Sequence, residues 1–519
     1  MADKVSFPYV STPLVPETPT VSVDPKTTTI IGQMTTAGSA TSGVRLVDID
    51  LNTQDALFGA NSQVTAMINA FRETNKTSRL DVIPIDDDGS AVSATGSVVF
   101  SGTPTATGSL IFYIGNEDRK YTVDVITTDT ATTIGDKLEA LITADTKSLV
   151  TASNALGTVT LTAVNGGTVA NKYTILVSGE VAGVTVALTA MSGGATNPAT
   201  TGLEALLVDR TDVVIPSELE YSAILTELDL RFNLDNTVMD GRLIIGVTDT
   251  KANLVILADA ENSQSFVIFG DKPVDYSTKK GSAILANDFE RSAHFAGIRA
   301  LRLEDNVSIA DYMTTTAPLD NIGGVHTSSL PYANTATLLA TVPSGEGFTT
   351  SEVSDLKDSG VSVMGNNLAD NTLLIGEVLT TYKTNNQGFV DLTYKYLNYV
   401  DTATASREFI WKSLKIDYAQ RRLTLGQGVG GYDFATIGGV RADMTGYYST
   451  LAGAGYVLLQ GGIIQDGRSI SDIYKSQLTV VFDIKAGEIQ ITSILPLVTQ
   501  VRTIIAPLNI RFNVNEIAS

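Results

Sequence analysis

The sequence contains no cysteine and only two histidines, His294 and His326. The lack of cysteine excludes disulfide bonds and thiolate chemistry, although it does not fix the cellular compartment. The histidines are far apart, neither begins an H-E-x-x-H sequence, and no Gly-Lys pair is present to complete a phosphate-binding loop. We therefore expect no metal, no cofactor and no catalytic residues, and we predict that the chain is not an enzyme.

Basic residues and long apolar runs are also scarce. Lys and Arg number 35 against 56 Asp and Glu, so the formal net charge is −21. Binding to nucleic acid requires clustered Lys and Arg, which disfavours nucleic acid as a partner. No stretch approaches the ~20 apolar residues of a membrane span, and the first residues do not resemble a signal peptide. We expect a protein made and folded in a cytoplasm, without membrane insertion.

Patterns typical of strands and helices alternate along the sequence. Its 519 residues are enough for three or four domains. Thr27–Ile31 is a predicted strand, Ser62–Arg72 a predicted helix, and Ser282–Leu303 a long amphipathic helix. Such alternation predicts a mostly parallel sheet covered by helices. The predicted fold class is therefore α/β, within an α+β multidomain chain, and this α/β domain comprises residues 26–89 and 201–375.

Residues 90–200 interrupt that domain with a different composition. Ser, Thr, Ala and Gly dominate, and short predicted strands are separated by turn residues, with one helix capped by Thr132 or Thr133. We interpret this segment as an inserted β-rich outer domain. A role in adhesion and a role as a surface decoration both remain open.

The N-terminal 25 residues form a proline-rich segment. Five prolines prevent a helix and keep the backbone extended. The segment also carries apolar side chains that need burial, namely Val5, Phe7, Tyr9 and Val10. A disordered tail and an arm that lies along a partner are both compatible with this pattern.

Residues 376–495 form a predicted C-terminal α+β domain that contains a long helical stretch, Asp391–Arg422, and then a hairpin. From Ser476 onwards the apolar residues alternate with polar ones, and the short turn at Ala486-Gly487 separates two strands. The apolar positions of this hairpin are Leu478, Val480, Phe482, Ile484, Ile489 and Ile491.

Residues 496–519 carry a further strand pattern at the C-terminus. Its apolar positions are Leu508, Ile510, Phe512 and Val514. A strand with one apolar face and unpaired backbone groups requires a sheet edge. The pattern does not decide whether that edge belongs to the same subunit or to a neighbour.

The stretch Gly426–Gly431 matches G-x-G-x-x-G, the motif of dinucleotide-binding loops. That motif requires a strand before it and a helix directly after it. Here a predicted helix precedes it, so we interpret it as a loop. A nucleotide-dependent α/β enzyme built on this loop and His294 is the alternative hypothesis.

The region from Gly376 to the end resembles the contractile tail sheath proteins of myophages, and in particular the Mu-like branch. The resemblance depends on the order and spacing of several segments rather than on one motif. These segments are Gly376–Tyr382 (GEVLTTY), the helix Tyr394–Arg422, Gly462-Ile463-Ile464 before the strand Ser476–Lys485, and Leu495–Val501 (LPLVTQV) leading into Ile510–Val514.

The resemblance implies a structural subunit that polymerises around a tail tube and contracts to drive the tube through a host envelope. Partners would be further copies in a six-fold helical homopolymer, the tail tube protein, and the baseplate and tail terminator proteins. The location would be the virion tail, after assembly in the host cytoplasm. A phage-derived tailocin would use the same design and is not distinguished.

The resemblance also implies roles for the segments at both termini. Residues 1–25 would be an N-terminal arm, with Val5, Phe7, Tyr9 and Val10 as its contact residues. The C-terminal arm would use Leu508, Ile510, Phe512 and Val514. Both arms would add as strands to a neighbour's hairpin, whose accepting residues are Leu478, Val480, Phe482, Ile484, Ile489 and Ile491.

Overall fold

The computed structural model of the protein describes residues 27–233, 238–276, 285–304, 332–333, 335–343, 345–367, 372–418, 421–425, 434–453, 469–483, 485 and 487–496. Helices and several separate sheets are present, so the predicted α/β class is confirmed. The strands and helices up to residue 163 are β1 (Thr27–Gln33), α1 (Gln54–Phe58), α2 (Gln63–Thr74), β2 (Leu80–Ile85), β3 (Thr95–Gly102), β4 (Gly108–Ile114), β5 (Asn116–Val125), α3 (Ala131–Ala144), β6 (Val150–Ala155) and β7 (Thr158–Ala163).

The remaining elements follow in chain order. They are β8 (Ile175–Ser178), β9 (Val184–Ser192), β10 (Thr211–Val214), α4 (Ser222–Phe232), β11 (Arg242–Thr248), α5 (Lys251–Ala260), β12 (Phe266–Asp271), α6 (Asp288–Glu304), α7 (Thr350–Ser359), β13 (Val361–Ser362), β14 (Met364–Asn366), β15 (Leu373–Ile375), α8 (Leu397–Tyr418), β16 (Arg422–Leu423), β17 (Phe434–Ala435), α9 (Ile437–Gly453), α10 (Ile470–Gln477), β18 (Thr479–Asp483) and β19 (Glu488–Thr492).

The main sheet has six parallel strands in the order β13-β12-β11-β10-β1-β2. Every residue of β1, β2, β10 and β12 is buried, as expected for a parallel sheet covered on both faces. The chain moves from β1 to β2 in one direction and then from β10 to β13 in the other. The sheet is therefore doubly wound, with its topological switch point between β1 and β10.

Helix α2 confirms the amphipathic helix predicted over Ser62–Arg72. The Ser62 side chain caps the helix by accepting a hydrogen bond from the Thr65 N–H, and the face predicted to be apolar is buried. Helix α6 packs against α2 at Gly297, where a Cβ atom would come within 2.6 Å of the Phe71 carbonyl oxygen. Glycine is required at this crossing because the two backbones approach so closely.

Helix α6 begins later than predicted. Residues 285–287 are not helical, so the predicted start at Ser282 is wrong. The Glu290 carboxylate accepts from both the backbone N–H and the side-chain amide of Asn287, at 3.2 and 2.7 Å. This contact satisfies donors at the N-terminus of the helix, and amphipathic periodicity alone does not reveal it.

Between β2 and β10 the chain forms two antiparallel sheets, ordered β6-β7-β3-β9 and β5-β4-β8, with helix α3. The β-rich character predicted for residues 90–200 is therefore observed, while the exact domain boundaries stay predictions. Thr130, not Thr132 or Thr133, is the N-cap of α3, and Thr133 completes the capping box.

A second hydrophobic core lies in the C-terminal part of the chain, between the second half of α8, helices α9 and α10, and β18. The predicted helix Asp391–Arg422 is shorter in the structure, where it spans Leu397–Tyr418. Helix α9 was not predicted, because Gly438, Gly439 and Gly446 lower its intrinsic helix propensity. Burial of Val440, Tyr448 and Leu451 in the second core offsets that cost.

Candidate functional site

Strands β18 and β19 form the predicted hairpin. They pair antiparallel from Thr479 with Thr492 to Asp483 with Glu488, and Gly487 in the turn has a φ of 74°. The strand begins at Thr479 rather than Ser476, because Ser469 caps helix α10 and Ser476 belongs to that helix. The existence of the hairpin is confirmed, whereas its role as an acceptor of strands stays a prediction.

The apolar residues predicted for the hairpin face one core. Leu478 and Val480 are buried, and Phe482, Ile489 and Ile491 are half-buried against the second hydrophobic core. Leu478 is the C-cap residue of α10 rather than a strand residue. Ile484, the remaining predicted position, lies outside the described residues.

The hairpin is a two-stranded sheet within the part of the chain that the structure describes. Each of its two outer edges therefore presents backbone N–H and C=O groups that β18 and β19 do not satisfy for each other. A two-stranded hairpin is marginal on its own, and further strands on a packed apolar face stabilise it. The predicted role of the hairpin as an acceptor of extended segments is compatible with this geometry and stays a prediction.

The predicted arm residues all lie outside the described residues. These are Val5, Phe7, Tyr9 and Val10 in the N-terminal segment and Leu508, Ile510, Phe512 and Val514 in the C-terminal segment. Their contacts with the hairpin therefore stay predictions.

Helix α8 connects the second hydrophobic core, against which the hairpin packs, to the main sheet through buried charges. The Arg299 guanidinium binds both Asp212 of β10, at 2.8 Å, and Asp401 of α8, and all three side chains are buried. Burial opposes but does not cancel the effect of these two carboxylates, so the pKa of Arg299 is raised. The first half of α8 is thereby held against the sheet, while its second half contributes to the second core.

Two further ion pairs join α8 to the same edge of the sheet. Arg210, which precedes β10, binds the Glu408 carboxylate through both guanidinium nitrogens at 2.7 and 2.5 Å. Arg407 of α8 pairs with the fully buried Asp240, which also accepts a hydrogen bond from Thr404 at 2.5 Å. These residues were not predicted, since charges spaced along an amphipathic helix do not reveal which of them become buried.

The crevice at the switch point of the main sheet is filled by the chain itself. In doubly wound sheets this crevice is the usual ligand site. Here the Asn165 amide accepts from the Gln63 N–H at the start of α2 and donates to the Met34 carbonyl, at 3.0 and 2.9 Å. The Gln33 amide donates to the Gly166 carbonyl at 2.7 Å. The inserted segment therefore occupies the position in which a phosphate would meet the helix N-terminus.

Asp87 holds this loop in place. Its carboxylate accepts from the Gly166 N–H at 2.6 Å, from the Gln33 amide at 2.6 Å and from the Asn165 amide at 3.0 Å. The acidic run Asp86–Gly89 thus contains a residue that links the insertion to the sheet. No sequence signal separated Asp87 from its two acidic neighbours.

A charged cluster joins the insertion to the sheet a little farther along the same edge. Lys172 binds the Glu218 carboxylate at 2.6 Å, and Arg291 contacts Asp271 at 3.0 Å and Asp288 at 2.5 Å. Burial raises the pKa of Asp271 to about 6, although Arg291 opposes the shift. A cavity of about 370 Å³ lies beside this cluster.

Of the two elements of the alternative enzyme hypothesis, His294 is the one that lies within the described residues. The loop Gly426–Gly431 lies outside the described residues, and the strand β17 stands between it and helix α9. His294 is completely buried in α6, with its Nδ1 atom 3.3 Å from Glu73 and its Nε2 atom accepting from the Leu338 N–H. His294 is therefore inside the core.

The described residues contain neither a metal-binding cluster nor a membrane-spanning helix. Within the described ranges, no group of three or more His, Cys, Asp or Glu side chains is arranged to hold a metal ion. None of the helices that the structure describes has the length and apolar character needed to cross a bilayer.

Comparison with known proteins identifies one similar sequence. A segment of the chain is 35% identical over 185 residues to the Mu-like prophage FluMu tail sheath protein of Haemophilus influenzae. The alignment covers 34% of this chain and 38% of that protein, and no family model matches the chain. The predicted resemblance to Mu-like tail sheath proteins is confirmed over this segment.

Comparison with solved structures gives weak similarities over nearly the whole chain. The sheath tail protein of Desulfitobacterium hafniense superposes with a TM-score of 0.42 at 10% identity, covering 94% of this chain and 100% of that one. The helical sheath of the anti-feeding prophage in its contracted state superposes with a TM-score of 0.46 at 11% identity, covering 98% of this chain and 99% of that one.

Proposed function

We propose that this chain is the structural subunit of a contractile tail sheath. The observation that carries the proposal is the 35% identity to a Mu-like prophage tail sheath protein. In this proposal, copies of the chain polymerise as a six-fold helical layer around a tail tube and contract to drive the tube through a host envelope. The baseplate, tail terminator and tube proteins are the further partners, and the virion tail is the location.

The described geometry supports a mechanical role. Among the described residues the strands of the C-terminal hairpin pair only with each other, and the hairpin has a packed apolar face, which is what an acceptor of exchanged strands requires. The proposed division of the chain follows from this: residues 1–25 and 496–519 as arms, 376–495 as an inner domain, 26–89 with 201–375 as the α/β domain, and 90–200 as an outer domain. Strand exchange keeps subunits connected while their globular parts re-pack.

The nucleotide-dependent enzyme is the weaker hypothesis for a specific reason. The crevice of the sheet that such an enzyme would use is filled by Asn165 and Gly166. An enzyme of this kind would bind nucleotide and lose that binding on Gly428→Ala. Equilibrium dialysis with ATP and NAD tests it, and clear saturable binding would favour the enzyme over a structural subunit.

Negative-stain electron microscopy of the purified protein, beside a variant ending at Ala506, tests the proposed function. We expect the full-length chain to form hollow striated tubes and the truncated chain to remain dispersed. The truncation removes the proposed C-terminal contact residues from Leu508 onwards and leaves every described residue in place. Dispersed full-length protein over a wide range of concentration and salt would contradict the proposal.

A further inference from the structure

The sequence contains one Asn-Gly pair, Asn165-Gly166. Asparagine is chemically labile, most of all before glycine, because glycine has no side chain to hinder attack by its own backbone nitrogen. In this reaction the Gly166 nitrogen bonds to the side-chain carbonyl carbon of Asn165, its proton passes to the departing amide nitrogen, and ammonia leaves. Water then opens the resulting five-membered succinimide to aspartate or isoaspartate.

In the folded chain hydrogen bonds hold the side chain of Asn165, which is buried together with Gly166. The Asn165 amide nitrogen donates to the Met34 carbonyl at 2.9 Å and to the Asp87 carboxylate at 3.0 Å. The amide oxygen accepts from the Gln63 N–H at 3.0 Å. Turning the amide towards the Gly166 nitrogen would break these three hydrogen bonds inside a buried crevice, which is costly.

Asp87 also restrains the attacking nitrogen. Its second carboxylate oxygen accepts from the Gly166 N–H at 2.6 Å. Attack requires that this N–H lose its proton, and the nitrogen anion would then face a carboxylate at hydrogen-bond distance. Repulsion between like charges disfavours that state. One carboxylate therefore restrains both the leaving group and the nucleophile of the same reaction.

The packing of the crevice requires this labile pair. A Cβ atom at Gly166 would come within 2.6 Å of the Ala91 Cβ atom, so glycine is needed there. Asn165 bridges the Met34 carbonyl and the Gln63 N–H, so its side chain must donate and accept at once, which an amide does. The lability is thus a consequence of the way in which the inserted segment fills the crevice.

We infer that Asn165 is a modification site that the fold protects. It deamidates in chains whose inserted segment has not packed on the main sheet, and it stays asparagine in chains where that segment has packed.

The product of this reaction prevents later closure of the crevice. Aspartate at position 165 lacks the donors to the Met34 carbonyl and to Asp87, and it adds a second carboxylate beside that of Asp87. A buried carboxylate without a counter-charge is strongly destabilising. Deamidation therefore permanently separates chains that fold late from chains that fold promptly.

The inserted segment offers a matched internal reference for the test. Ser192→Asn creates a second Asn-Gly-Gly sequence at residues 192–194, like that at residues 165–167. Ser192 and Gly193 are exposed, whereas Asn165 and Gly166 are buried. The two sites then share the residues that follow asparagine and differ in burial and hydrogen bonding. The full-length variant is incubated at mildly alkaline pH, in buffer and in denaturing urea, and peptide mapping by mass spectrometry follows both sites.

In urea we expect both sites to deamidate at similar rates. In buffer, conversion of Asn165 should be at least ~10-fold slower than conversion of position 192, because it requires local opening of the crevice. Equal rates at the two sites in buffer would overturn the inference. Slow conversion of Asn165 in urea would overturn it as well, since the sequence itself would then be unreactive.

Asp87→Asn, in the Ser192→Asn background, tests the restraint by the carboxylate. It should raise the rate at Asn165 in buffer by roughly 10-fold, because hydrogen bonds to a charged acceptor are the strong ones. The matched control is Asp86→Asn, at the exposed neighbour, which should leave the rate unchanged. A lower rate in Asp87→Asn would show that the carboxylate acts as a base, and it would overturn the inference. The comparison of buffer with urea holds whether or not this variant folds.

Asn165→Asp reproduces one product and tests whether the change is permanent. At neutral pH its urea midpoint should lie below that of Asn165→Ala, because it adds a carboxylate beside Asp87 as well as removing hydrogen bonds. The difference between the two variants should shrink as the pH falls towards about 4, where carboxylates become protonated. A midpoint equal to that of the wild type would overturn the inference. None of these outcomes bears on the proposed sheath function, which microscopy tests separately.

Discussion

At the residue scale, buried charge holds the parts of this chain together. Arg299 lies between Asp212 and Asp401, and Asp401 also accepts from the Tyr332 hydroxyl at 3.0 Å. Removing one partner from such a network leaves the remaining charge buried without compensation, which costs more than the pair contributes when intact. Substitution of one side chain of the network should therefore lower the free energy of unfolding by more than the loss of its buried volume alone would.

Asp401→Asn should lower the free energy of unfolding by about 3–5 kcal/mol, because Arg299 and Arg242 lose a buried counter-charge. Asp355→Asn removes a surface pair with Lys251 and serves as the control, with an expected loss below about 1 kcal/mol. Urea unfolding at low protein concentration measures both. Similar small losses in the two variants would show that the buried network does not hold α8 to the sheet.

Asn165→Ala should destabilise the chain by about 2 kcal/mol or more, because it leaves the Gln63 N–H and the Met34 carbonyl without their partner inside the filled crevice. The control is Asn233→Ala, an exposed asparagine whose amide contacts the Asp229 carbonyl. Its expected effect is within about 0.5 kcal/mol. A neutral Asn165→Ala would mean that the insertion is not needed to close the crevice.

The buried Asp271 should make stability depend on pH. Its pKa is raised from 3.8 to about 6 by burial, so the folded state binds the proton more tightly than the unfolded state does. The free energy of unfolding contributed by this group therefore falls as pH rises from about 4 to about 6, by about 3 kcal/mol, and is constant above that range.

Asp271→Asn removes that titration. Relative to wild type, the variant should be more stable at pH 7 than at pH 4 by about the same 3 kcal/mol, because only the wild type ionises a buried carboxyl. Urea unfolding of both proteins at each pH gives the difference and cancels the other carboxylates. A difference that is independent of pH would mean that Arg291 keeps Asp271 ionised throughout.

At the scale of elements, helix α8 belongs to two cores at once. Its first residue, Leu397, is buried in the core of the main sheet, whereas Phe409 and Leu414 pack in the second core with α9 and β18. Two hydroxyl contacts fix α9 on this second half, since Tyr418 donates to Asp443 and Tyr447 donates to Asp417. The hairpin thus packs in a core that contains the second half of α8, and ion pairs hold α8 to the main sheet.

Leu451→Ala should destabilise the second core selectively. Leu451 of α9 is completely buried, and truncation of such a leucine costs about 2–5 kcal/mol through lost burial and the cavity that remains. Trp411 lies in the same unit, so its fluorescence should report an earlier urea transition. Ile416→Ala on α8, at a side chain that is 83% exposed, is the control and should leave the midpoint unchanged. Equal midpoints for both variants would contradict a separate second core.

At the scale of the whole molecule, the net charge of −21 opposes the association of copies. Salt screens this repulsion, because the Debye length falls to roughly 8 Å at physiological ionic strength. Strand addition depends on backbone hydrogen bonds and apolar side chains, which salt weakens little. In the proposed assembly, the balance between charge repulsion and strand addition should therefore set the concentration at which the chain polymerises.

Raising the salt concentration from roughly 0.01 M to 0.15 M should lower the protein concentration needed for assembly. Light scattering over a dilution series measures this threshold, and electron microscopy identifies the particles as tubes rather than amorphous aggregates. The variant ending at Ala506 is the control and should scatter little at either salt concentration. A threshold that rises with salt would indicate that contacts between opposite charges dominate the assembly.

Elements with a local signal could be predicted from the amino-acid sequence alone. Period-two alternation placed the hairpin at β18 and β19, strand-helix alternation predicted the parallel sheet, and the composition of residues 90–200 marked the β-rich insertion. Ser62 was identifiable as a helix start, because a cap depends on residues within one turn.

Features that depend on partners distant in the sequence are visible only in the folded chain. Asp87 and Asn165 are 78 residues apart, and Arg299 and Asp401 are 102 apart. A charged or amide side chain has the same local pattern whether it is solvated or buried, so only the folded chain shows which ones carry a contact. Helix α9 required the same information, because burial of its apolar face outweighs the weak propensity of its glycines.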